Sequence, residues 1–159
     1  MKIEMGKLNS EDCENKTMKE IIEAVIMPDI QKKAENRIGN REPKNFDELI
    51  EILKKEHTET FKDITLEAQL DKFVDEQDEY EEADNCLNEA REIADMIIVA
   101  AGVARFAPRF VKEVLKPYIL KKMGEEENFN SIIAYMALEK SLINKERKWE
   151  KKGGKYQHK

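Results

Sequence analysis

The sequence predicts an all-α protein, a helical bundle built around an antiparallel acidic helical hairpin and expected to be oligomeric. Three observations lead there. Apolar residues recur at helical spacing along most of the chain, and no segment sustains the alternation of a half-buried strand, so no sheet is expected. Glycine (6) and proline (4) are few among 159 residues, and 39% of residues are charged against 7% aromatic, a balance that suits helices. Capping side chains stand where the apolar periodicity begins.

The elements follow in order. A first helical segment is expected from about Thr17 to Arg37, with Pro28 kinking or dividing it. Gly39 to Pro43 breaks it. Asn45 caps a second helix running to about Phe61, and Thr65 caps a third, with Glu67 in its first turn, ending near Glu82. Asp84-Asn85 is turn chemistry. A fourth helix runs from about Leu87 to Phe106, and Ala107-Pro108 restarts a shorter one to about Met123. Gly124 ends it, and Asn128 to Trp149 reads as the last long helix. The organisation is an N-terminal helical extension over 1–44, a domain over 45–150, and a basic tail over 151–159 expected to be mobile.

Composition excludes several functions. A net charge of −6 disfavours a general nucleic-acid binder, because the summed field repels phosphate. The polar N-terminus has no apolar core of a secretory signal. The longest apolar run, Ile93 to Ala104, is interrupted by Asp95 and too short to span a bilayer. Two distant cysteines, Cys13 and Cys86, with two histidines make neither a disulfide framework nor a metal finger. A cytoplasmic location with no membrane partner is expected.

The strongest chemical signal lies between Asp75 and Asp95, where ten acids accompany one base, Arg91. Most such runs are solvated faces. Here the spacing argues otherwise. Glu76 and Glu79 are three apart on the third helix, and Glu92 and Asp95 three apart on the fourth, so each pair shares a face. Glu79 and Glu92 are equidistant from the expected turn, as are Glu76 and Asp95. In an antiparallel pair the four acids converge at levels beginning roughly 10 Å from the turn.

Their surroundings are apolar. Asp95 is the lone ionisable residue of IADMIIVAAGVA, residues 93–104, and Glu76 borders the stripe of Leu66, Leu70, Phe73 and Tyr80. Carboxylates at such edges are costly to ionise unless paired or bound to metal. Oxygen-only ligands favour Mg²⁺, Mn²⁺ or Ca²⁺ over zinc. A structural salt bridge from Asp95 to Lys72 or Arg105 is the alternative. Di-iron chemistry needs Glu-x-x-His pairs, and neither His57 nor His158 follows a glutamate by three.

The pattern Glu76-x-x-Glu79, twelve residues, Glu92-x-x-Asp95 resembles the signature of the MazG-like all-α nucleoside triphosphate pyrophosphohydrolases. ITLEAQLDKFVDEQDEYEEA, residues 64–83, is similar to that family's Thr, Gln, Lys, Glu-x-x-Glu helix, and AREIADMIIVAAGV, residues 90–103, to its Glu-x-x-Asp helix. Lys140, Asn144 and Arg147 resemble the Lys, Asn, Arg element of its closing helix, and at these spacings they share one face. The resemblance covers about Asp47 to Arg147. The stretch from Asp95 to Lys140 is longer than the family's pattern, with extra material around Pro108 to Asn128.

The resemblance implies Mg²⁺-dependent cleavage of a nucleoside triphosphate into monophosphate and pyrophosphate. It implies Glu76, Glu79, Glu92 and Asp95 as metal ligands and catalytic residues, with Mn²⁺ as a possible substitute. Gln69, Lys72, Lys140, Asn144 and Arg147 are the implied substrate-binding residues, and a homo-oligomer, dimer or tetramer, the implied assembly. Trp149 and Tyr156 are candidates for base stacking or for packing against a partner. A different class stays open: a non-catalytic helical module whose basic C-terminus contacts nucleic acid or an acidic partner protein.

Overall fold

The structure, a computed structural model, describes residues 43–123, 131–152 and 155–158. The helical segment expected over Thr17 to Arg37 lies outside them. Helices dominate: α1 (Phe46–Thr60), α2 (Leu66–Glu82), α3 (Cys86–Ala104), a helical turn α4 (Pro108–Phe110), a π-helical stretch (Val111–Leu115), α5 (Lys116–Lys122) and α6 (Ser131–Glu146).

The helix starts are chemically explicit. Asn45, Thr65 and Asn85 are all in extended backbone conformation, and each side chain accepts from the N–H three residues on, at Glu48, Ala68 and Asn88. These bonds satisfy N–H groups that no helical carbonyl can reach.

α3 is the axis of the core. Ala90, Ile93, Met96, Ile97, Ala100, Ala101 and Val103 are fully buried. α1, α2, α6 and the 108–122 segment all pack on it. An apolar helix needs cover on every side, and here one chain supplies that cover. Its apolar circumference therefore does not by itself call for a second subunit.

The 108–123 segment is part of this cover. Val111, Leu115, Ile119 and Met123 are buried in the main core. It is not the single regular helix the sequence suggests. Pro117 has no N–H to return to Glu113, and the five residues up to Leu115 adopt the wider π turn.

The C-terminus also departs from the sequence reading. The last helix stops at Glu146, and Trp149 opens a strand. Where no sheet was expected, β1 (Trp149–Lys152) and β2 (Lys155–His158) pair antiparallel, with Lys152 opposite Lys155. β2 occupies the tail expected to be mobile. The cue was Gly153-Gly154, a dipeptide favoured between paired strands. The pair docks on the loop after α1: Lys151 Nζ lies 3.1 Å from an Asp63 carboxylate oxygen, and Tyr156 Oη accepts from the Asp63 N–H at 3.4 Å. The Trp149 indole N–H donates to the Asn144 carbonyl at 2.7 Å, which satisfies one of the orphan carbonyls at the end of α6.

No helix among the described residues is long and apolar enough to cross a membrane. The core geometry makes a stability prediction. Ile97, fully buried on α3, should cost about 2–5 kcal/mol as Ile97→Ala, because the cavity cannot collapse between four neighbours. Val74, 53% exposed, should change stability by no more than about 0.5 kcal/mol as Val74→Ala. Urea unfolding of both variants checks the contrast.

Candidate metal and polyphosphate site

α2 and α3 are joined by only three residues and pack closely along one another. Their acidic faces meet. Glu76, Glu92 and Asp95 each offer a carboxylate oxygen, and the three oxygens lie within 4.8 Å of one another. Glu76 is buried, 7% exposed, whereas Glu92 and Asp95 are half-buried. Glu79 is exposed and stands outside that triad, but its carboxyl is hydrogen-bonded to those of both Glu76 and Glu92.

The electrostatics are unfavourable as they stand. Burial, then the Asp95 charge and the Glu79 carboxyl, push Glu76 up to about 9. Burial, again followed by Asp95 and Glu79, pushes Glu92 up to about 7. Asp95 is raised mainly by burial, against the pull of Lys140, Lys72 and Arg147. Glu76 Oε2 and Glu92 Oε2 are buried with no hydrogen-bond partner. These carboxyls thus hold protons at pH values where exposed ones are ionised. The site's donors are all carboxylate oxygens, the set that hard divalent cations take.

The salt-bridge alternative for Asp95 fares poorly. Lys72 Nζ sits 3.8 Å from Glu76, not on Asp95. Arg105 is committed elsewhere, donating to the Phe61 carbonyl at 2.6 Å.

Beside the acids opens a cavity of about 330 Å³. Glu76 and Asp95 are on its wall, together with Gln69, Lys72, Lys140, Asn144 and Arg147. Every substrate-binding residue expected from the sequence therefore reaches one space, including those beyond the 108–122 segment. Glu79 and Glu92 are not on that wall. α6 is fixed against α1 by Lys145, which pairs with Glu59 at 2.7 Å and with Glu56. Asn144 is buried and its Oδ1 has no partner.

Sequence reasoning named Trp149 and Tyr156 but missed Phe61 and His57. Phe61 packs against Trp149 at 4.8 Å and Tyr156 at 5.0 Å between ring centroids, and His57 against Phe61 at 4.9 Å. All four rings line the cavity. His57 was legible as an anomaly: it extends the buried stripe Phe46, Leu49, Ile50 and Leu53 of α1.

A pH dependence follows. Carboxyls with raised folded values keep protons that the unfolded chain releases above its ordinary carboxylate range, so they stabilise the metal-free fold fully at low pH. That contribution falls as pH rises through about 7 for Glu92 and about 9 for Glu76. Between about pH 5.5 and about pH 8 the metal-free melting temperature of wild type should fall relative to that of Glu76→Gln. Millimolar Mn²⁺ competes for the same oxygens and should raise the wild-type value most at the higher pH, with protons released on binding. Scanning calorimetry reads both, and a relative melting temperature that climbs with pH would contradict the site.

No family model, curated protein or solved structure matches this chain, so what the site does has to be inferred from its own chemistry.

Proposed function

We propose that the protein hydrolyses a nucleoside triphosphate to a nucleoside monophosphate and pyrophosphate, with Mg²⁺ held at the acidic hairpin and Mn²⁺ able to replace it. One observation carries this: unpartnered buried carboxylate oxygens converge beside a cavity that also presents Lys72, Lys140 and Arg147. Acids alone would repel a polyphosphate, and bases alone would need no metal. The two together match a metal–polyphosphate complex.

Glu76, Glu92 and Asp95 would supply the oxygen ligands. When bound, Mg²⁺ neutralises phosphate charge and lowers the pKa of water. Glu79, exposed next to both glutamates, would orient water and take its proton. The water oxygen bonds to phosphorus, the α–β bridge breaks, and pyrophosphate leaves. Arg147 is suited to clasp phosphate with two parallel hydrogen bonds, and Lys72 and Lys140 act as point charges. Asn144 Oδ1 offers an acceptor to a sugar hydroxyl or base N–H. Phe61, Trp149 and Tyr156 form an apolar wall for a base. A homo-oligomer, dimer or tetramer, belongs to the same proposal, and Phe106, Phe110 and Val114, each more than 40% exposed, are its candidate contacts.

Pyrophosphate release from a panel of ribo- and deoxyribonucleoside triphosphates is the direct test. Failure with every nucleotide in both Mg²⁺ and Mn²⁺ would leave a binding module as the better account. Asp95→Asn should lower turnover by at least ~10²-fold, since ligand charge supports the ion. Its metal-free melting temperature should stay level or rise, because one of several repelling charges is gone. Retained turnover with lowered stability would instead mark Asp95 as structural. Arg147→Ala should cost on the order of 1.5–3 kcal/mol in kcat/KM with little loss of stability, and unchanged kinetics would remove the C-terminal triplet from the site.

A further inference from the structure

Two residues of the cavity wall, His57 and Gln69, are fixed by a third residue, Arg105. His57 is 5% exposed on α1, and its Nδ1 lies 3.1 Å from an Arg105 guanidinium nitrogen. A guanidinium has donors only, so Nδ1 must accept. The ring is neutral, because burial and then the Arg105 charge push His57 down to about 4. A neutral imidazole that accepts at Nδ1 carries its proton on Nε2. Nε2 therefore donates to Gln69, and Gln69 Oε1 is the atom that can accept.

Gly102 on α3 makes this contact possible. A Cβ there would lie 2.3 Å from Gln69 Oε1 and 2.7 Å from His57 Nε2. No larger residue lets the pair lie so close to the α3 backbone. Arg105 is itself held at the end of α1, donating to the carbonyls of Phe61 at 2.6 Å and Lys62 at 3.4 Å. With its carbonyl turned to His57 and held against the α3 backbone at Gly102, the Gln69 amide has its N–H2 group to offer the cavity it lines.

We infer that Arg105, acting through His57, holds Gln69 with its N–H2 group toward the cavity, so that Gln69 selects a ligand presenting a hydrogen-bond acceptor, which in a nucleotide is a keto oxygen on the base edge in place of an amino group. The nucleotide part rests on the function proposed above; the orientation of the amide does not. An amino group would meet the amide donor to donor and leave both unpaired. Sites built around a hydrogen bond reject such a mismatch strongly. Gln69 is the specificity-determining residue, and His57 and Arg105 are positioning residues.

Two measurements on the full chain test this separately. The first is ¹⁵N NMR of the imidazole in His158→Gln, which leaves His57 as the single histidine. At neutral pH it should show the neutral ring with its proton on Nε2, and Arg105→Met should lose that pure state. A proton on Nδ1, or a charged ring, overturns the inference. The second compares size-matched triphosphates, uracil with cytosine and guanine with adenine. Wild type should favour the keto partner of each pair by roughly tenfold or more in kcat/KM. Arg105→Met should shrink that ratio mainly through KM. Gln69→Glu keeps an oxygen for His57 but removes the donors, and should reverse the preference; this variant also serves if Arg105→Met does not fold. Hydrolysis with no keto preference, or a ratio unmoved by both variants, overturns the inference. If no nucleotide is hydrolysed while His57 keeps its proton on Nε2, the proposed function fails and the amide orientation stands.

Discussion

Like charges held in a dry place constrain everything around them. Glu76 is buried on α2 and Asp95 interrupts the most apolar helix of the chain. With Glu79 on α2 and Glu92 on α3 they meet at the joint between the two helices. Carboxylates so placed cannot all ionise without an external positive charge. Protons supply it at low pH, and a divalent cation is the occupant proposed for higher pH. The cost falls on stability, as is common where a site needs charge that a core would rather exclude. The apolar packing of α3 on four sides offsets that cost.

The same helix organises the cations. α6 packs along α3 and carries Lys140, Asn144 and, just past its end, Arg147 to the acidic site. The 108–122 segment covers another side of α3 and does not displace α6 from the cavity. The segment is thus part of the core. Its Lys122 reaches back to Glu81 at 3.8 Å and over the rings of Tyr80 and Tyr118, tying it to the outer end of α2.

The opposite character of the cavity comes from the chain's end. β1 and β2 bring Trp149 and Tyr156 onto Phe61, and the Trp149 indole closes the end of α6 through the Asn144 carbonyl. One residue, Asn144, therefore anchors the aromatic wall by its backbone while its side chain faces the cavity. His57, Gln69 and Arg105 add a polar patch beside that wall. Their packing depends on the missing side chain of Gly102. The result is a space with charge toward α2 and α6 and rings toward the C-terminal strands.

Local chemistry determined the helices, because a cap or a periodic apolar stripe acts within a few residues: Asn45 and Thr65 cap where the sequence places caps. It also determined the acidic convergence, since two acids three apart on each of two helices joined by a short turn have little freedom to miss one another. The Lys140, Asn144 and Arg147 face is local in the same sense. What only the tertiary structure decided involves pairs far apart in sequence. His57 and Arg105 are 48 residues apart, and Tyr156 and Asp63 are 93 apart. Nothing in the periodicity of either partner encodes such a meeting. The same holds for the four-residue strands, too short to show alternation, for the exposure of Glu79 beside its buried neighbour, and for the cover of α3 by helices of its own chain. Helical spacing determines which residues share a face; what that face meets depends on how the whole chain packs.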